Sequence, residues 1–338
     1  IVNYNAGKLL LNCVESVFSS NNKNYEVIIV DNCSNDNSHR NCKKKFDEIK
    51  LIENSENLGY CEGNNVGIRN ASGDYLLILN PDTIIESDLI EKFLDTIKNY
   101  GEGLFQGKNV AIDNDNILRS TGNWINLFGF GYARDKGTKE SNKFFNVEEI
   151  NYASGTCLFT STKTMKKIGL FDSFLFLYHD DLDLGWRASC LNIKSFFVPT
   201  IKIRHVSSYN LKWSSKKFFW LERNRKYCLL THYSQSTRNK IRLEIFLVDA
   251  MVFFSYLLKG MIKAKILADI DIFKNRKIIE KKYEELEKVK IIPDKVIIKQ
   301  FSDTIFIPDD ISKELAGKIF NKILGYISNK AKKRLLSS

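Results

Sequence analysis

The chain has 338 residues, 43% of them hydrophobic and 27% charged, a balance that excludes a disordered or fibrous protein and leaves room for one large domain with an extension, or for two. Seven cysteines, an odd number without paired or zinc-module spacing, exclude a disulfide scaffold and suit reduced thiols in a cytosolic compartment. The net charge of +11 is unevenly held: residues 211–338 carry 28 Lys and Arg against 14 Asp and Glu, residues 1–210 carry 23 against 26, so the C-terminal third is the part suited to nucleic acid, anionic lipid or an acidic substrate.

In chain order, residues 1–2 read as the end of a strand whose beginning lies upstream. Lys8–Phe18 places Leu9, Leu10, Cys13, Val14 and Val17 on one helical face after a Gly7 turn. Residues 27–30 predict a strand ending at Asp31, followed by a polar turn over 32–40 and a basic helix near 41–45. Residues 51–52 predict a short strand and 64–70 a helix. Residues 76–79 form an apolar strand stopped by Pro81, and 89–97 the next helix. Strands alternating with helices imply βαβ units and a parallel sheet. Residues 101–150, rich in glycine and asparagine, predict a loop-heavy region with edge strands. Its Trp124, Phe128, Phe130 and Tyr132 either cover a substrate or are surface aromatics. Order returns with a strand over 152–159, a short helix over 163–168, a helix over 181–190 with an acidic first turn, and strands at 196–198 and 201–203 flanking Pro199.

After Trp213 basic and apolar residues interleave. The most apolar stretch, 241–262, holds Arg242, Glu244, Asp249 and Lys259 and is a poor membrane span; an interfacial helix or a packed helical pair fits it better. Residues 273–290 predict a charged, solvated helix with Glu/Lys pairs at helical spacing.

Four clusters could carry chemistry. Asp82 sits at the carboxyl end of a strand, where open α/β sheets bind ligands. With Asn80 and Thr83 it suits a hard divalent cation shared with a diphosphate, or else a helix cap. Asp31 ends a strand and can accept from a ribose hydroxyl or a base N–H, or close an Asx-turn with Asn32, Ser34 and Asp36. Residues 57–67 carry Gly59, Gly63 and Gly67 ahead of a helix, without the dinucleotide fingerprint. Asp180, Asp181 and Asp183, beside His179 and an aromatic run, raise one another's proton affinity. That suits a general base, or is simply an acidic first helical turn. His205 follows the last strand, as a metal ligand or as a core histidine.

Together these motifs resemble the family 2 inverting glycosyltransferases, in particular the rhamnosyltransferase-like group. The likeness runs from Ile1 to about Arg225: Val-Asn-Tyr-Asn at the start, Val-Asp-Asn-x-Ser-x-Asp, Asn-x-Gly-Tyr, Leu-Asn-Pro-Asp, Phe-Asp, Tyr-x-Asp-Asp-x-Asp-Leu, then His205 with Ser207 and Ser208. The resemblance implies a GT-A fold, an α/β Rossmann-like mixed sheet, as a catalytic domain over 1–212. Residues 213–338 would form a basic, mainly helical C-terminal region. It implies a nucleotide-sugar donor and a divalent cation, Mg²⁺ or Mn²⁺. By position, Asp31 would contact the nucleobase, Asn3 and Asn57 would line the nucleotide pocket, and Asn80 and Asp82 would form the metal motif. His205 would be a further metal ligand and Asp181 the base. Two departures stand out. Asn80 replaces the first aspartate of many relatives, and Asp180-Asp181 replaces the usual Glu-Asp, which makes Asp180 a second candidate for the base.

The expected activity is metal-dependent, inverting transfer from a UDP- or dTDP-sugar, dTDP-rhamnose among them, to a glycan or polyprenyl-linked acceptor in cell-surface polysaccharide synthesis. The basic region would dock on anionic lipid, which puts the enzyme in the cytoplasm on the inner face of the cell membrane. The alternatives are an inactive sugar-nucleotide-binding scaffold, and a nucleic-acid-binding protein that uses Trp213, Phe218, Phe219 and Trp220 among lysines; no nucleic-acid partner is expected.

Overall fold

The computed structural model describes residues 1–141, 144–206, 214–305 and 315–337. Ser207, Ser208 and Trp213 lie outside the described residues. The chain divides into two compact units: Ile1–Asn123, Ala133–Gly185 and Ile193–Tyr209 in the first, and Trp124–Tyr132, Trp186–Asn192 and Asn210–Ser338 in the second.

The first unit opens with β1 (Val2–Asn3), α1 (Lys8–Phe18), β2 (Ile28–Asp31), α2 (Ser38–Lys45), β3 (Lys50–Glu53) and α3 (Gly59–Arg69). These are the expected βα repeats, and β1, β2 and β3 pair in parallel. Then come β4 (Tyr75–Leu79), β5 (Thr83–Ile85), α4 (Leu89–Tyr100), β6 (Gly103–Ala111) and β7 (Asn114–Ser120). After β8 (Asn123–Ile125) and β9 (Gly131–Ala133) follow β10 (Glu148–Ile150), β11 (Cys157–Ser161), α5 (Thr162–Ile168), α6 (Asp180–Cys190) and β12 (Lys194–His205). A second, mixed sheet has the order β10–β12–β6–β11–β4, with β5 added on β12 and β7 on β6. Its β12 and β6 run parallel, and its β11 runs antiparallel to both β6 and β4.

Two elements differ from the sequence expectation. Residues 103–111 lie in the region expected to be loop-heavy, yet they form a nine-residue strand at the centre of the mixed sheet. Gly103, Gln106, Gly107, Lys108 and Asn109 interrupt its apolar pattern, and its partner β12 is remote in sequence. The two strands expected around Pro199 are one strand of twelve residues. The register with β6 shifts between Val198 and Lys202, and this irregularity accommodates a proline that cannot donate to the ladder.

The core of this unit joins Leu10, Cys13, Val14 and Val17 of α1, Ile29 of β2, Phe93 and Ile97 of α4, Phe105, Phe159 and Ile203. Phe93 and Phe159 stack with centroids 4.8 Å apart. Burying several such side chains at about 1.5–3 kcal/mol each anchors the helices on the strands.

The second unit takes in most of β8 and β9 and is otherwise mainly helical: α7 (Ser215–His232), α8 (Gln235–Lys240), α9 (Arg242–Leu258), α10 (Ile262–Lys274), α11 (Arg276–Val289), α12 (Asp294–Lys299) and α13 (Leu315–Ser337). Its interior contains a buried ionic network. Arg225 grips Glu222 through two 2.8 Å hydrogen bonds, and Lys265 lies 3.2 Å from Glu222, 3.1 Å from Asp249 and 2.8 Å from Asp269. Among the described residues no helix is long and apolar enough to cross a membrane.

Candidate active site

Sheet pairing brings Asp82 and His205 together across 123 positions of sequence. Residue 205 lies opposite Thr83 in the β12–β5 pair, and Val206 N donates to Asp82 O at 3.0 Å. His205 Nε2 then stands 3.2 Å from Asp82 Oδ2. Asp82 is only 3% exposed, and its Oδ1 has no hydrogen-bond partner among the described residues. A buried carboxylate oxygen without a donor costs about 1–3 kcal/mol or more unless something else meets it. A carboxylate and an imidazole ending on one strand pair fit a divalent cation of the Mg²⁺ or Mn²⁺ kind, with the remaining positions left to phosphate and water. Asn80 turns the chain between the two: its carbonyl accepts from Thr83 Oγ1 at 2.7 Å, and its N–H donates to Thr156 O at 3.0 Å.

Asp31 and Asn3, at the ends of adjacent parallel strands, meet directly. Asn3 Nδ2 donates to Asp31 Oδ1 at 2.7 Å and to Ser38 Oγ at 2.8 Å, and Asp31 Oδ2 accepts from Ser34 N at 2.8 Å. His39 Nδ1 stands 3.1 Å from Asp31 Oδ1. Asp31 therefore anchors the following turn through the N–H three residues on, one residue further than the Asx-turn the sequence offered as one reading. The arrangement leaves lone-pair capacity on Oδ2 for a further donor.

The third assembly links the glycine-bearing segment to the acidic turn. Asn57 Oδ1 accepts from Gly59 N at 2.9 Å, and Asn32 Nδ2 donates to Gly59 O at 2.8 Å. Gly59 has φ +75°, and a Cβ there would lie 2.5 Å from the Phe176 ring, so only glycine fits. Tyr60 N donates to Phe176 O at 2.7 Å, which supplies an acceptor to the first turn of α3. Phe176, Tyr178 and His179 all have φ near +60°, Phe176 with ψ −58° at the centre of a γ-turn closed by Leu177 N donating to Leu175 O at 2.7 Å, and such positive φ costs bulky residues about 1 kcal/mol or more each. That backbone delivers Asp180 and Asp181 to the start of α6.

Tyr60 also reaches the base candidates. Its hydroxyl donates to Gly155 O at 2.7 Å, and Gly155 N donates to Asp181 Oδ2 at 3.2 Å. A Cβ at position 155 would lie 2.6 Å from Tyr60 Oη and 3.4 Å from Asp180 Oδ2, so both meet the turn here. Asp181 Oδ1 accepts from Leu182 N at 2.9 Å. Burial pushes the Asp181 carboxyl up to about 6, against the pull of the Gly155 and Leu182 amides. Burial pushes Asp180 well above the usual carboxylate range, and the charge of Asp181 adds to it. Asn80 bonds Thr156 and Gly155 bonds Asp181, so the strand end bearing Asp82 and the helix start bearing the base candidate are both tied to the turn at 155–156.

Sequence reasoning missed Gln106. This fully buried residue of β6 accepts at Oε1 from Ser154 N and from Asn123 Nδ2, each at 2.7 Å, and so fixes the turn that presents Gly155. Its one signal was a glutamine placed after Leu104 and Phe105 in a strand. A cavity of about 670 Å³ in this unit, lined by Ile1, Ile28, Tyr75, Leu77 and Phe159, holds none of these residues.

The family model described as "Glycosyl transferase family 2" matches residues 1–169. The hexosyltransferase Agl10 of low-salt glycan biosynthesis in Haloferax volcanii is 27% identical over 206 residues, covering 57% of this chain and 61% of that protein. The N-acetylglucosaminyl-diphospho-decaprenol L-rhamnosyltransferase of Mycobacterium tuberculosis is 21% identical over 231 residues, covering 62% of this chain and 75% of the relative. Among solved structures, GalNAc-T7 with UDP, GalNAc and Mn²⁺ superposes with a TM-score of 0.57 at 15% identity, over 71% of this chain and 49% of that one. At that identity the likeness carries the fold alone, which is GT-A.

Proposed function

From the premise that this chain belongs to glycosyl transferase family 2, we propose that it transfers a hexosyl group, with inversion, from a UDP- or dTDP-sugar to a hydroxyl of a glycan or polyprenyl-linked acceptor. Relatives named for glycan synthesis and for a rhamnosyl transfer to a lipid-diphospho sugar support this reading. The observation that carries it is the Asp181 carboxylate, held by two backbone amides and raised to about 6, beside the strand end that bears Asp82.

Asp181 takes the proton from the acceptor hydroxyl. The acceptor oxygen forms a bond to the anomeric carbon as the bond from that carbon to the diphosphate oxygen breaks, and the nucleoside diphosphate leaves with the bonding pair. A single displacement inverts the anomeric centre and needs one protein carboxylate. Burial and the neighbouring Asp181 charge push the Asp180 carboxyl upward, which disfavours a second negative charge in the site. Asn3, Asp31 and Asn57 shape the nucleoside side, with the free lone pair of Asp31 Oδ2 as the acceptor for a base N–H. Asp82 and His205, with Asn80 beside them, would hold the divalent cation. When bound, it supplies Lewis-acid neutralisation of the leaving diphosphate.

Calorimetry with UDP and dTDP, with and without Mn²⁺, tests the donor half. Binding is expected to require Mn²⁺ and to weaken at least tenfold in Asp82→Asn. Equal affinity in that variant, or with the cation removed, overturns the assignment. Donor hydrolysis and transfer by the parent chain separate an enzyme from an inactive nucleotide-sugar scaffold.

A further inference from the structure

Helices α9 and α10 reverse the polarity expected of a helix that faces water, where charged residues point outward and apolar ones inward. In α9 the acidic residues turn in: Glu244 is buried and bonded by Arg334 at 2.7 Å, and Asp249 meets Lys226 at 3.0 Å and Lys265 at 3.1 Å, while Arg242 at the start of the helix is exposed. In α10, Lys265 is fully buried against Glu222 and Asp269. What faces out is apolar. Leu243 is 61% exposed, Phe246 67%, Phe254 60% and Leu258 80%, a stripe at helical spacing along α9. Ile266 and Phe273 continue the pattern on α10, which packs against α9. Scattered exposed apolar residues are ordinary, but a stripe on two packed helices whose acidic residues and Lys265 are held in ion pairs marks a surface with a partner.

We propose that this outward face of α9 and α10 docks on an anionic lipid bilayer, with the helices lying in the interface rather than crossing it. Charge selects the partner. Residues 211–338 carry 28 basic against 14 acidic residues, and the exposed Lys263 and Lys274 flank the α10 stripe. An apolar stripe inside a basic unit is complementary to acyl chains beneath anionic headgroups. Two copies meeting through the same face would bring like charges together. Crossing is excluded among the described helices by length and hydropathy. This inference rests on exposure and charge, so it stands or falls apart from the transfer reading.

Flotation of the full chain with vesicles at ~0.1 M salt is the test. We expect co-flotation with phosphatidylglycerol–phosphatidylethanolamine vesicles and at least tenfold less with phosphatidylcholine alone. The double variant Phe246→Ser, Phe254→Ser is expected to lose at least tenfold of the anionic binding while its thermal melt stays unchanged, since both side chains are mostly in solvent already. Binding undiminished in that variant, or equal on both vesicle types, overturns the proposal. So does light scattering that shows a dimer of the parent chain dispersed by the same two substitutions, which would give the face to a second copy.

Discussion

Asp181 is where the chemistry concentrates, and its environment makes predictions of opposite sign for activity and stability. Asp181→Asn removes the proposed proton acceptor, so transfer should fall by about 10²–10⁴-fold with nucleotide affinity retained, which single-turnover assays and calorimetry can check. In the parent chain, transfer should decline about tenfold per pH unit below about 6, where the carboxyl takes up its proton. Stability runs the other way. The folded chain holds that proton more tightly than the ordinary carboxylate value of 3.8, so the favourable contribution is full below 3.8 and is lost as pH rises through about 6. Asp181→Asn should therefore melt higher than the parent at pH 7.5, by on the order of 1–2 kcal/mol, with the gain vanishing near pH 4. At this scale much was readable in the sequence. The family resemblance grouped Asp82 with His205 and Asn3 with Asp31, and each pair is in contact. Gln106 and Gly155 were not expected, since a buried amide that works by holding a backbone turn has no local pattern.

Among the elements, α3 and the segment before α6 depend on each other. The Phe176 carbonyl meets the first turn of α3, and the Phe176 ring fills the space where Gly59 lacks a side chain. Gly59→Ala forces a methyl group into that ring at a positive φ, and should cost about 1–3 kcal/mol in urea unfolding while lowering transfer by displacing Tyr60 and the Gly155 turn. A melt and an activity equal to the parent would refute this coupling. The Asn-x-Gly-Tyr motif thus had a structural purpose that spacing alone left open. Element reading failed where long-range pairing overrides local composition. The strand at 103–111 is interrupted by glycines and polar residues and exists because β12 and β11 flank it. The strand through Pro199 survives because its register slips there.

Over the whole molecule, the charge asymmetry was visible from residue counts, and the helical nature of the C-terminal third from its periodicity. Which way those helices face was not, because periodicity marks a stripe without saying whether water or protein lies against it. The ionic network around Lys265 settles that, and it makes Lys265→Ala expensive. Glu222, Asp249 and Asp269 would lose their shared cation, and the second unit should lose roughly 3–5 kcal/mol in chemical denaturation. Unchanged denaturation would mean that water replaces the ammonium without penalty. The pairing of Asp82 with His205 has a consequence in time as well as space. The ribosome makes the aspartate 123 residues before its partner, a delay of roughly 6–25 s at about 5–20 residues per second. Through that interval β5 has no β12 to pair with, and the nascent chain must shelter an incomplete sheet edge.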